Sequence, residues 1–205
     1  MLNDLQAQST KVLVKTTLGN ITLMVYDDTP IHKDNLLELI KKNFYDGVLF
    51  HRVIPSFMVQ GGDPNSKNAK PGDRLGSGTP GYTLPAEFRP NHYHKKGALA
   101  AARLGGPSNP KKESSGSQFY IVTGRVWSVA ELEQMERGGQ HPKFTDEQRK
   151  VYTSVGGYPP LDYEYTVYGE VTEGMDVVEM ISKVERDPSD RPKTDVKILS
   201  FTVVK

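Results

Sequence analysis

Apolar residues take alternate positions in Lys11 to Leu18 and again in Asn20 to Tyr26, where Ile21, Leu23 and Val25 share one face. Successive strand side chains point to opposite faces, so each run reads as a half-buried β-strand, and Gly19 between them marks a hairpin. The period changes at Thr29-Pro30. A hydroxyl followed by proline at the first helical position predicts a helix over roughly residues 31–42, with Leu36, Leu39 and Ile40 facing inward. Residues 50–59 predict a strand pair, and residues 98–104, 117–124, 166–171 and 196–204 predict further strands. The alanines of the 98–104 run suit close packing beside a groove. Thr172 reads as the cap of a second helix, with Met175, Val178, Ile181 and Val184 at helical spacing. Residues 63–96, polar and rich in Gly and Pro, read as loops.

One segment breaks the pattern. Ser128 with Glu131, and Thr145 with Gln148, have the spacing of capping boxes, and Gly138-Gly139 and Gly156-Gly157 read as stops. They predict a helical hairpin inserted over residues 126–158, with Val129, Leu132 and Met135 packing on the rest of the fold. Mostly local antiparallel connections then predict a mainly β fold: a closed eight-stranded antiparallel barrel with two helices plugging its ends. Residues 1–10 read as a tail, and residues 11–205 as a single domain carrying the insert.

Composition narrows the function. A chain of 205 residues fits one domain. Its 36% hydrophobic and 25% charged content suits a soluble globular protein. A net charge of +1 gives no field that would favour nucleic acid or membrane surfaces. The chain has no cysteine, which removes disulfides, thiolate metal sites and cysteine nucleophiles. No apolar run is long enough to span a bilayer. The N-terminal residues lack the basic start and apolar core of a signal peptide, so cytoplasm, or periplasm after signal removal, both remain compatible.

Familiar motifs do not fit their contexts. GSGTPG (76–81) matches a dinucleotide-loop pattern, but no strand precedes it and Pro85 follows, so it reads as a loop needing positive backbone angles. His92 and His94 have strand spacing for a metal, yet lysines flank them and no carboxylate run is near, so they read as a solvated loop. The sequon at Asn20 lies within a predicted strand. There is no GxSxG motif and no P-loop.

The stretch FHRVIPSFMVQGGD (50–63) is the informative one. A strand that only filled a core would not need Arg52 and Gln60 among so many apolar side chains. It resembles the central motif of the cyclophilin peptidyl-prolyl isomerases. GSQFYIVTG (116–124), LDYEYTVYGEVTEGMDVVEMI (161–181) and GTPGYTLPAEF (78–88) resemble further signatures of that family, the last in its bacterial form.

The resemblance implies cis–trans isomerisation at X–Pro bonds of proline-containing peptides and unfolded proteins, with no cofactor and no metal. It implies Arg52, Gln60 and Phe57 as catalytic residues. It implies His51, Met58, Ala102, Arg103, Gln118, Tyr120, Leu161 and Tyr165 as substrate-binding residues, with Ala102 and Arg103 on a peptide-binding strand edge. Taken singly, Phe57, Met58, Tyr120 and Leu161 read as core and Arg52 as half of an ion pair; their joint placement reverses that. Three positions depart from the family. Pro160 stands where many members carry a tryptophan associated with tight cyclosporin binding, so only weak cyclosporin binding is implied. Tyr165 replaces a histidine, and Arg103 an asparagine. The alternative is a catalytically silent proline-peptide binding or chaperone module, whose signature would be loss of Arg52 or of the ring-gripping residues.

Overall fold

The computed structural model describes residues 10–204. The expected tail, apart from Thr10, lies outside the described residues. The strands are β1 (Thr10–Thr16), β2 (Gly19–Val25), β3 (Phe50–Ile54), β4 (Met58–Gly61), β5 (Thr83–Leu84), β6 (Ala98–Ala101), β7 (Ser114–Ser115), β8 (Phe119–Val122), β9 (Val167–Glu173) and β10 (Ile198–Val204). The helices are α1 (Pro30–Lys41), α2 (Val129–Arg137), α3 (Asp146–Ser154) and α4 (Met175–Ser182). Eight strands form one curled antiparallel sheet in the order β10-β1-β2-β9-β6-β8-β4-β3. Strands β5 and β7 pair apart from it, and β5 lies within the region expected to be loops.

The sheet is not a closed barrel. The edges β10 and β3 meet at the single bridge Leu49–Lys197, ahead of both strands. Phe50 N–H still reaches the Val196 carbonyl at 2.9 Å, but Val53 N–H turns to the Asp190 carbonyl at 2.9 Å. The chain around Asp190 fills the gap that a continued ladder would occupy.

Alternation decides the two faces. Val53, Val59, Ile121 and Leu99 are successive cross-strand partners on β3, β4, β8 and β6. All four belong to the main core, with Ile21, Leu23, Leu36, Leu39, Val178 and Ile181. The neighbouring residues of the same strands point the other way and build a second cluster of Met58, Ala98, Ala100, Ala102, Tyr120 and Val122. The candidate site shares Met58, Ala102 and Tyr120 with that cluster.

Helix ends follow local chemistry in the hairpin and tertiary chemistry elsewhere. Both capping boxes form, at Ser128–Glu131 and at Thr145–Gln148. Thr29 does not cap α1. The buried Glu87 carboxylate does so instead, accepting from Ile31 N–H at 3.3 Å and His32 N–H at 2.9 Å. Thr172 does not cap α4 either: it lies within β9, and Gly174, with φ 84°, precedes the helix. In the hairpin Leu132 and Met135 are buried with Phe144, Tyr152 and Tyr93, whereas Val129 is 55% exposed. Among the described residues no helix is long and apolar enough to cross a membrane.

Candidate active site

The strand register assembles the site. Arg52 on β3 faces Gln60 on β4, Gln60 faces Tyr120 on β8, and Tyr120 faces Ala100 on β6. Phe57 sits in the β3–β4 turn, where Ser56 adopts φ 60°. Leu161 and Tyr165 come from the chain that leads into β9. A cavity of about 90 Å³ is lined by Arg52, Phe57, Met58, Gln60, Ala102, Arg103, Tyr120, Leu161 and Tyr165. Of the residues implied by the sequence, His51 and Gln118 are outside that lining.

Ala102, just past β6, adds only a methyl group to the wall beside Phe57, Met58, Tyr120 and Leu161. Arg52 stands at the rim. Its Nη1 donates to Gln60 Oε1 over a long 3.4 Å, and its guanidinium lies 5.9 Å from the Phe57 ring centre. Among the described residues no carboxylate pairs with it. Arg103 is the opposite case. It donates to the Glu164 carbonyl at 2.7 Å, to the Glu164 carboxylate at 2.8 Å and to the Leu104 carbonyl at 3.0 Å, and it covers the Tyr165 ring at 4.6 Å. Of the two cations here, Arg52 is available to a ligand and Arg103 is committed to the wall.

Gln118 acts from behind. Its Oε1 accepts from Gln60 Nε2 at 3.1 Å, and its amide donates to the Gly76 and Gly78 carbonyls at 2.9 and 2.8 Å. The Asp63 carboxylate accepts the N–H groups of Gly76 and Gly78. Gly76 has φ 100°, and a Cβ on Gly78 would fall 1.8 Å from Asp63 Oδ1. Gly78 therefore serves this close approach, while Gly76 and Gly81, with φ 100° and 97°, fit the reading as a positive-angle loop. The expected peptide-binding edge is not free at Ala102. Its N–H donates to the Gln118 carbonyl at 3.0 Å and its carbonyl accepts from Ser115 N–H at 2.7 Å.

His51 lines a larger groove of about 600 Å³ that shares Arg52, Gln60 and Arg103 with the pocket. It is buried, and among the described residues neither ring nitrogen has a hydrogen-bond partner. Burial pushes its pKa down to about 4 from 6.5, against the attraction of Asp63. The unfolded chain therefore takes up a proton between those values that the folded chain refuses. Stability from this group is full above pH 6.5, falls as pH drops toward 4, and is level below that. At about 1.4 kcal/mol per pH unit, the loss is about 3 kcal/mol. Denaturant unfolding at pH 7.5 and pH 4 should show His51→Leu losing less stability on acidification than wild type. Equal losses would remove His51 as the source.

Sequence reasoning missed what stands behind Tyr120. His94 is fully buried, not solvated, and its Nε2 lies 2.8 Å from the Tyr120 hydroxyl. Its Nδ1 lies 2.9 Å from Asp162 Oδ1. His92 behaves differently: it stacks on Tyr26 at 4.0 Å and pairs with Asp28 at 2.6 Å. Tyr158 was also missed; it packs on Phe57 at 4.4 Å. No local pattern marks these residues, because His94 and Asp162 are 68 positions apart.

Comparison with known proteins agrees with this geometry. The profile described as cyclophilin type peptidyl-prolyl cis-trans isomerase/CLD matches residues 11–203. A Staphylococcus saprophyticus protein, provisionally named a peptidyl-prolyl cis-trans isomerase, is 33% identical over 202 residues, covering 98% of this chain and 95% of the relative. A Streptococcus pyogenes protein, provisionally named a bifunctional phosphatase/peptidyl-prolyl cis-trans isomerase, is 36% identical over 196 residues, which is 94% of this chain and 38% of that relative. The fold resembles a cyclophilin-type isomerase structure from Cryptosporidium parvum, with a TM-score of 0.69, 21% identity, and coverage of 96% of this chain and 98% of that one. A second structure of that protein, determined in the presence of the dipeptide Ala-Pro, gives a TM-score of 0.67 at 21% identity, with coverage of 95% and 99%.

Proposed function

The chain belongs to the cyclophilin-type peptidyl-prolyl cis-trans isomerase family, and we propose that it rotates X–Pro bonds in the pocket beneath Arg52. The observation that carries this reading is a guanidinium, without a carboxylate partner among the described residues, beside a cavity lined by Phe57, Met58, Tyr120 and Leu161.

The amide barrier is about 18–20 kcal/mol because the nitrogen lone pair is delocalised into the carbonyl. Twisting the bond returns the lone pair to the proline nitrogen, which becomes pyramidal and able to accept a hydrogen bond. It is a poor acceptor in either planar ground state. A donor aimed there binds the twisted state selectively, and that selectivity lowers the barrier. Arginine suits the task because it is always charged and only donates. Gln60 holds the guanidinium from one side, and Gln118 holds Gln60. Phe57, Met58, Tyr120 and Leu161 grip the proline ring while the preceding carbonyl turns. Rotation makes and breaks no σ-bond, so the step needs no nucleophile and no proton transfer.

The substrates proposed are exposed X–Pro segments of peptides and unfolded chains. NMR exchange on a short X–Pro peptide tests the reading: cis–trans exchange should quicken on addition of the protein. An unchanged rate with bound peptide would favour the silent binding module.

Cyclosporin should bind weakly. The exposed Pro160 supplies no indole surface and no N–H. Trp127 does not substitute, since its Nε1 donates to the Gly157 carbonyl at 3.0 Å and Arg125 covers its ring at 3.6 Å. Titration calorimetry showing nanomolar affinity would refute this.

A further inference from the structure

We propose that the inserted hairpin is a positioning element of the proline pocket, with His141 and Tyr152 acting through Asp162 and His94 on the hydroxyl of Tyr120. The proposal rests on the pocket reading above.

Asp162 is buried directly after Leu161 of the pocket. Its Oδ1 accepts from His94 N–H at 2.7 Å and from His94 Nδ1 at 2.9 Å. Its Oδ2 accepts from the Tyr152 hydroxyl at 2.6 Å and from His141 Nε2 at 3.0 Å. A carboxylate offers about four acceptor sites, so this one is fully used. Two of its donors come from the strand framework and two from the hairpin.

The direction of each bond follows. A carboxylate only accepts, so His94 Nδ1 carries a proton, and in the neutral imidazole His94 Nε2 then presents a lone pair. The Tyr120 hydroxyl then donates to Nε2, and the arrangement fixes both the histidine tautomer and the tyrosine rotor. The Tyr120 ring lies near-parallel to His94, at 15° and 6.0 Å, and edge-on to Tyr165, at 82° and 5.8 Å. That ring is one wall of the cavity that receives proline.

The hairpin holds its own donors firmly. His141 stacks on Phe144 at 3.8 Å, and its Nδ1 lies 2.6 Å from the Pro142 carbonyl. Tyr152 is fully buried, and its carbonyl accepts from Trp127 N–H at 3.0 Å. Where the hairpin returns, Tyr158 N–H donates to the His94 carbonyl at 2.8 Å and Lys96 N–H to the Gly156 carbonyl at 3.0 Å. The inserted unit thus holds the His94 main chain directly and its ring by way of Asp162. The network ends on the hydroxyl of a residue that lines the pocket, so a change in the hairpin can reach the pocket wall.

The test is peptide affinity and exchange measured together on the full chain. Wild type and Tyr152→Phe are titrated with a short X–Pro peptide, reading Kd from NMR shifts and the exchange rate at saturation. A displaced wall weakens grip on planar and twisted proline alike, so Kd should rise about 2- to 10-fold, the scale of one hydrogen bond, with the saturated rate changing less than twofold. In a Tyr120→Phe background the Tyr152→Phe effect should vanish, because the wall hydroxyl that transmits it is gone. If Tyr152→Phe does not fold, His141→Leu takes its place, and His141→Gln, which keeps an N–H toward Asp162, should restore most of the lost affinity. An unchanged Kd, or the same rise in both Tyr120 backgrounds, overturns the proposal. Failure of wild type to accelerate exchange would instead refute the catalytic reading, while the Kd comparison still decides this one.

Discussion

Arg52→Ala should lower kcat/KM for X–Pro exchange by roughly ten- to a hundred-and-fifty-fold while barely moving the melting temperature. A hydrogen bond from a charged donor is worth about 1.5–3 kcal/mol, and about 1.4 kcal/mol is tenfold in rate. The fold has little invested in this side chain, which makes one long hydrogen bond to Gln60 and no ion pair among the described residues. Arg52→Lys should not rescue the rate fully, because a single ammonium on a shorter reach does not reproduce the guanidinium fork. Peptide exchange by NMR on folded variants is the measurement. A near-wild-type rate in Arg52→Ala would assign catalysis to pocket desolvation rather than to the donor.

Asp162→Ala should behave in the reverse way, as a stability mutation first. It removes an acceptor from four buried donors, three of them side-chain groups. Breaking a buried charged network by deleting one partner costs about 3–5 kcal/mol. In a chain of this size that corresponds to roughly 6–20 °C in melting temperature. Burial pushes the Asp162 carboxyl up, yet the bonds from His141, His94 and Tyr152 outweigh it and hold the group below the usual carboxylate range. The folded state therefore favours the ionised form, and Asp162→Asn, which keeps one carbonyl acceptor, should fall between wild type and alanine. Thermal unfolding checks both variants. A change of under 1 °C in Asp162→Ala would mean that the four donors find other partners.

The chain itself settled most of the local architecture. Alternation in β1 and β2 and the helical spacing of Leu36, Leu39 and Ile40 depend only on backbone period and burial, which a linear pattern records. The capping boxes at Ser128 and Thr145 close within three residues, so they too were legible. The motif around Arg52 was legible because a turn and a two-strand register bring Arg52, Phe57, Met58 and Gln60 together without help from distant chain. Long-range partners were not. Thr29 looked like a cap, but Glu87, 56 positions beyond Ile31, takes the helix end. His94 looked solvated, but Asp162 draws it inside. Arg103 does line the groove, but its pairing with Glu164 was not legible. In each case a polar group has several possible partners of similar chemistry, and local sequence carries no term that ranks them. Packing ranks them, because an unpaired buried donor costs more than any local preference returns. The open seam between β3 and β10 has the same origin: hydrophobic pattern marks both strands, while the chain around Asp190, by taking the Val53 amide, decides that they part.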